Sequence, residues 1–182
     1  PAFNYELALS NFNIQKTFET FNTVKKLAPI AGHCNGLFST TLSVNGKLTE
    51  NMQPVINSLS GKGTLNTNKI VINNFEPLNK MADALKLEQF KKLEPSDMKI
   101  NYHFENGRVS VDPFTTKFYG TSALVEGSNG FDQSIDYKVK LDIPKSSMNQ
   151  KAVEMMSGLL SKANAVGGTN VQLPETLKVS VL

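Results

Sequence analysis

The clearest pattern along this chain is strict alternation. Between 131 and 143, Phe131, Ile135, Tyr137, Val139, Leu141 and Ile143 take every second place, broken only by Gln133. Asp132, Ser134, Asp136, Lys138, Lys140 and Asp142 lie between them. Successive strand side chains point to opposite faces, so this spacing predicts a strand with one apolar and one water-facing side. Met98, Ile100, Tyr102 and Phe104 read the same way against Lys99, Asn101, His103 and Glu105, as do Phe38, Thr40, Leu42 and Val44. Asn106-Gly107 separates two such runs and predicts a tight hairpin, because both turn residues accept positive φ. Asn45-Gly46 and Asn129-Gly130 predict turns on the same grounds.

Other stretches carry helical spacing. Ile14, Phe18, Phe21, Val24, Leu27 and Ile30 form one stripe, with Asn13 as N-cap and Gly32 as stop. Met52, Val55, Ile56 and Leu59 fit a short helix with Pro54 in its first turn. A third helix runs through Leu78, Met81, Ala82 and Leu85 toward Phe90 and Leu93. A last one runs through Val153, Met156, Leu159, Leu160, Ala163 and Val166 to Gly167-Gly168. The fold class expected is α+β: a curved, mainly antiparallel sheet with helices packed on one face. Leu7-Ala8-Leu9-Ser10-Asn11-Phe12 and Ile70-Val71-Ile72-Asn73-Asn74-Phe75 each lead from a strand into a helix, which points to a duplicated strand-helix-strand unit. We read 1–182 as one domain, with 1–49 and 50–143 as the repeated units and 144–182 as a closing helix and strand.

Composition sharpens this. A chain of 182 residues, 40% hydrophobic, can build a core without staples. The net charge of +3 is too mild to predict a nucleic-acid or anionic-membrane partner. A single cysteine excludes an internal disulfide framework and a multi-cysteine zinc site, and two histidines exclude a histidine-rich metal site. The chain opens on Pro1 with strand-like sequence at once, and stops inside the strand-like run Leu177–Leu182. Both ends read as cut from a longer protein. No run approaches a membrane span or a signal peptide, so any anchor is expected outside this segment.

Reactive chemistry is sparse. His33 and Cys34 are adjacent on a Gly-flanked connection, but sequence neighbours point apart and no third group completes a nucleophilic site. His103 falls on the polar side of its strand. Asp132, Asp136 and Asp142 offer oxygens for a hard cation, yet, interleaved with Lys138 and Lys140, they read better as a wet face that resists edge pairing. Gly61-Lys62-Gly63-Thr64 lacks the spacing of a phosphate loop. Phe18, Phe21, Met155 and Met156 suit either a greasy ligand pocket or plain core packing, and packing is the default.

The run Ile56-Asn57-Ser58-Leu59-Ser60-Gly61-Lys62-Gly63-Thr64-Leu65 resembles the "L-x-G-x-G" entry of the C-terminal region of AsmA-family proteins. Ile70–Phe75, the helix of Leu78 to Leu85, Met98–Val109 with its Asn-Gly turn, and Phe114 follow in the family's order. Gly120, Gly127 and Ile135-Asp136-Tyr137-Lys138-Val139 are similar to its "G-x-G-x-[IF]-D…[LI]-D-Y" ending, and Leu173-Pro174 to its closing element. The likeness spans about residues 50–182.

This resemblance implies a large envelope protein of Gram-negative bacteria, anchored in the inner membrane by an N-terminal helix with its bulk in the periplasm. It implies curved sheets with an apolar groove, a link to outer-membrane biogenesis, and phospholipid passage along the groove as thought for related TamB-like proteins. The family has no known catalytic residues, and no cofactor or metal is expected. The expected function is therefore non-enzymatic lipid transfer or scaffolding. Tyr102, Phe104, Phe118 and Leu124, in neighbouring predicted strands, are the expected lipid-lining residues. The alternative is an envelope interaction or adhesin-like module, pairing with a protein through edge strands near Phe3 and Val179.

Overall fold

The alternating runs pair with one another because each leaves a row of backbone donors and acceptors on both sides. In the computed structural model, which describes residues 1–168 and 170–181, they form one sheet. Its strands are β1 (Ala2–Asn13), β2 (Cys34–Lys47), β3 (Ser60–Asn73), β4 (Lys92–Leu93), β5 (Ser96–Glu105), β6 (Arg108–Phe118), β7 (Thr121–Gly130), β8 (Ile135–Pro144) and β9 (Thr176–Val181). The order is β1-β2-β3-β5-β6-β7-β8-β9, every pair is antiparallel, and β4 is a short addition on β3. Among the described residues β1 and β9 are the two edges of the sheet. The helices are α1 (Ile14–Thr20), α2 (Asn22–Leu27), α3 (Glu76–Leu85) and α4 (Gln150–Gly167). This is the α+β arrangement expected, an antiparallel sheet with helices on one face.

The register gathers the apolar residues of all strands on one face. Tyr5 lies beside Val44, Leu42 beside Gly63, Tyr102 beside Val111, Val125 beside Val139, and Val139 beside Val181. A one-residue irregularity reverses the parity of a strand. Such shifts occur between Leu9 and Phe12, opposite Gly36–Phe38 on β3, and between Val111 and Phe114. In each strand the apolar spacing takes one step of three there, so Phe12, Ile70 and Phe114 stay on the greasy side. Asn11 takes the first irregularity at φ 56°. Asn74, at the matching place of the second strand-helix motif, has φ 53°. In both, the asparagine precedes a phenylalanine and a helix.

The hairpin at Asn106-Gly107 forms as expected, with φ of 51° and 75°. The other two Asn-Gly pairs are not turns. Asn45 and Gly46 continue β2 opposite Asn4 and Phe3, and Asn129 and Gly130 end β7. The β7–β8 connection falls instead on 131–134, where Asp132 Oδ1 accepts from the Ser134 amide at 3.0 Å and its hydroxyl at 2.7 Å. The first predicted helix is broken. Asn13 does cap it, accepting from Lys16 N at 2.9 Å, but Phe21 is extended between α1 and α2. Pro29 bars α helix at Ala28, and a 3-10 turn over Pro29–His33 follows. Gly32 is no stop; it makes room for the Phe18 ring, 2.8 Å from where a Cβ would sit. The helix expected around 52–59 is a 3-10 turn at Ile56–Ser58. The third helix stops at Leu85, with Lys86 left-handed, and Glu88–Lys91 form a separate 3-10 turn. α4 ends as predicted, with Gly168 at φ 63°.

The β1–β2, β3–β5 and β8–β9 connections carry the helices, and the register puts all three at one end of the sheet. The main core lies toward that end: Ile14, Ile70, Ile72, Ala82, Leu87, Phe90, Met98, Phe118, Leu141 and Ile143 bury one another. A second core of Leu59, Phe104 and Val109, with Phe3, Leu27 and Phe131 against it, lies toward the opposite end. α1 and α2 run between them. Their 7 and 6 residues span about 20 Å. That approaches the roughly 24 Å from β1 to β7 at the usual strand spacing. Leu27 accordingly reaches β7, where its carbonyl accepts from Asn129 Nδ2 at 2.9 Å.

Candidate functional site

Burial decides which part of the apolar face is available to anything outside the chain. Across β3 and β5 the face is sealed by pairs of glycine and aromatic residues. A Cβ on Gly61 would meet Phe104 Cζ at 2.8 Å, and one on Gly63 would meet the Tyr102 hydroxyl at 2.6 Å. The missing side chains let both rings lie flat over β3 toward β2. The Tyr102 hydroxyl then shares a hydrogen bond of 3.0 Å with Thr40 Oγ1. Burial pushes the Tyr102 phenol above its ordinary value, partly offset by that bond. Tyr137 covers Gly127 in the same way on β8, donating to Asn129 Oδ1 at 3.3 Å.

The face opens at β1. Tyr5 is 61% and Leu7 46% exposed, although both point to the apolar side. Phe3 stacks on Tyr5 with ring centroids 5.4 Å apart and joins the second core. Farther along, Phe12 meets Phe38 edge-on at 6.4 Å, and both Phe12 and the Phe21 ring between α1 and α2 are exposed. The row from Phe3 to Phe12 is an apolar ledge along one edge of the sheet, continuous with the covered face.

The four expected lining residues divide. Tyr102, Phe104 and Phe118 lie on the apolar face, but they are covered. Tyr102 is half-buried, Phe104 is 3% exposed in the second core, and Phe118 is 6% exposed in the main core, 5.4 Å from the Phe90 ring. Leu124 is on the wrong side. The register sets it between Thr115 and Lys140 on the polar face. The irregularity at Asp112-Pro113 does not reach β7, so Val125 and Ala123 keep the inward places and Leu124 points out. Large apolar side chains of this face stay exposed instead on β1, Tyr5 and Leu7 among them. Their alternation is plain in the sequence, but nothing there says that β1 is the edge that the helices leave open.

The remaining candidate chemistry falls apart. Cys34 is buried with its thiol pushed up to about 11 by desolvation, and Sγ donates to the Ile30 carbonyl at 3.3 Å. A nucleophile needs the thiolate. His33 packs on Phe75 at 5.3 Å between centroids. His103 and Asp112 approach to 3.8 Å on the exposed polar face. Asp132 serves its turn, Asp136 lies opposite Ser128 and Asp142 opposite Ser122. Among the described residues no three metal-ligating side chains gather. Phe18 in α1 is spent on Gly32, Phe21 lies exposed between α1 and α2, and Met155 and Met156 belong to α4. The polar face carries Arg108, which donates to Ser128 Oγ at 2.8 Å and Ser134 Oγ at 3.1 Å. Among the described residues no helix is long and apolar enough to cross a membrane.

No family model, curated protein or solved structure matches the chain.

Proposed function

We propose that this chain is a non-catalytic, lipid-handling segment of a larger cell-envelope protein of the AsmA kind, with its parent held in the inner membrane and this part in the periplasm. Phospholipid is the proposed cargo, and scaffolding or transfer toward the outer membrane the proposed role. One observation carries the reading: an open sheet with a single continuous apolar face, left uncovered along β1 at Tyr5 and Leu7. An acyl chain laid along this ledge loses contact with water at about 0.8 kcal/mol per buried methylene. A polar headgroup stays wet beyond the strand edge. No reactive group is needed, because the step is partition and release. The Leu59-Ser60-Gly61-Lys62-Gly63 run that carries the resemblance has a physical part in this. Its glycines seat Phe104 and Tyr102, which fill the middle of the face and confine any cargo to the rim.

Native mass spectrometry of the chain purified from a Gram-negative host without detergent tests this. Adducts of phospholipid mass that vanish in a Tyr5→Lys, Leu7→Lys variant are expected. A lipid-free spectrum for both proteins overturns the reading.

A further inference from the structure

Among the described residues β1 and β9 each present one backbone edge with no strand beside it, and three features make those edges fit each other. Direction is the first. The path from β1 to β9 crosses eight strands, all antiparallel, so β1 and β9 themselves run in opposite senses. A β9 laid beside the β1 of another copy therefore continues the alternation. Face is the second. Leu177, Val179 and Val181 lie beside Ile143, Leu141 and Val139 on the apolar side, as Phe3, Tyr5 and Leu7 do on β1. Charge is the third. Glu6 is the one charged side chain of β1 and Lys178 the one charged side chain of β9, and both are on the polar face.

A single register satisfies all three. With Glu6 opposite Lys178, Leu7 meets Leu177, Tyr5 meets Val179, Phe3 meets Val181 and Asn4 meets Ser180. Cross-strand pairs of opposite charge and of apolar residues are what stabilise antiparallel neighbours. β1 also has few of the usual protections of an exposed edge: it is 12 residues long, holds no lysine or proline, and its irregularity at Asn11 lies outside the stretch Phe3–Leu7.

We propose that β9 of one copy pairs with β1 of a second copy in this register, so that the chain assembles head to tail and its apolar ledge is prolonged into the next molecule. The interface is heterologous and leaves a free β1 and a free β9 at its ends, so growth does not stop at two. Six residues of β9 make a small contact, below the usual size of stable interfaces. Association is accordingly expected at roughly 10–1,000 μM. The pairing does not depend on cargo, and its failure would leave lipid handling untouched.

Sedimentation velocity over that concentration range is the test. The unaltered chain should form species that lengthen with concentration. Glu6→Lys alone and Lys178→Glu alone each set like charges opposite one another and should weaken association by roughly 3- to 10-fold. An equimolar mixture of the two should restore it, since each partner then meets its opposite. Leu7→Lys should give monomers, with circular dichroism confirming the fold. A monomer at every concentration overturns the proposal. So does a dimer that stops at two, or assembly in which the charge variants behave like the original or the mixture fails to recover.

Discussion

At the scale of single residues, this molecule is organised by where side chains are missing as much as by where they are. Gly63 leaves room for Tyr102, whose hydroxyl bonds Thr40. Gly63→Ala drives a methyl into the ring and the Thr41 carbonyl. It should destabilise the chain by about 1–3 kcal/mol, whereas Tyr102→Phe, losing one hydrogen bond, should cost about 1 kcal/mol; urea unfolding separates the two. Cys34 gives a pH signature. Its folded value is raised to about 11 from an ordinary 9.0, so the thiol favours the folded state fully below pH 9 and that stability is lost as pH rises toward 11. Relative to Cys34→Ala, the loss should reach about 2–3 kcal/mol. A flat difference between the two proteins across that window would show that the thiol is not buried as described.

Among elements, local signals were legible and long-range ones were not. Asn106-Gly107 turns because two strands of matching length meet there. Asn45-Gly46 has the same chemistry but sits where β1 still has residues to pair, and pairing prevails. The stripe from Ile14 to Ile30 was visible, but its break was not. Phe21 leaves the helix so that α2 can turn across the sheet to β7, a partner 102 residues away at Asn129. The irregularities follow the same logic: the three-residue steps at Phe12, Ile70 and Phe114 stand in the sequence, but only pairing shows that they keep a face intact. Caps were readable in part: Asn13 and Gly168 hold, and Gly32 does not. Asn149 was not foreseen, yet its Oδ1 accepts from Ala152 N at 2.8 Å and its Nδ2 donates to the Lys86 carbonyl at 3.3 Å. Asn149→Ala should therefore lower stability by about 1–2 kcal/mol. Hydrogen exchange should quicken in the first turn of α4 and around Lys86 together, and quickening of α4 alone would deny the tie between them.

Over the whole molecule, the sheet has two unlike sides and the helices cover only part of one. Two cores consume the apolar residues that looked most available from sequence, Phe104 and Phe118, and leave the edge strand bare. That is why the exposed part of the apolar face lies at β1 rather than at the centre of the sheet, while the fold class stood. The proposed lipid handling rests on that exposed strip of the apolar face. α4, at the other edge of the sheet, holds the main core through Ala152, while its Leu159 and, at 92% exposure, Val166 face outward.

The chain contains no tryptophan, so one introduced indole reports on one place. Tyr5→Trp on the ledge and Leu124→Trp on the polar face, each mixed with phosphatidylglycerol and phosphatidylethanolamine brominated along the acyl chain, give the most direct measurement. Strong quenching at position 5 with none at 124 is the result predicted. Equal quenching at both positions, or none at either, would contradict a lipid-handling apolar face.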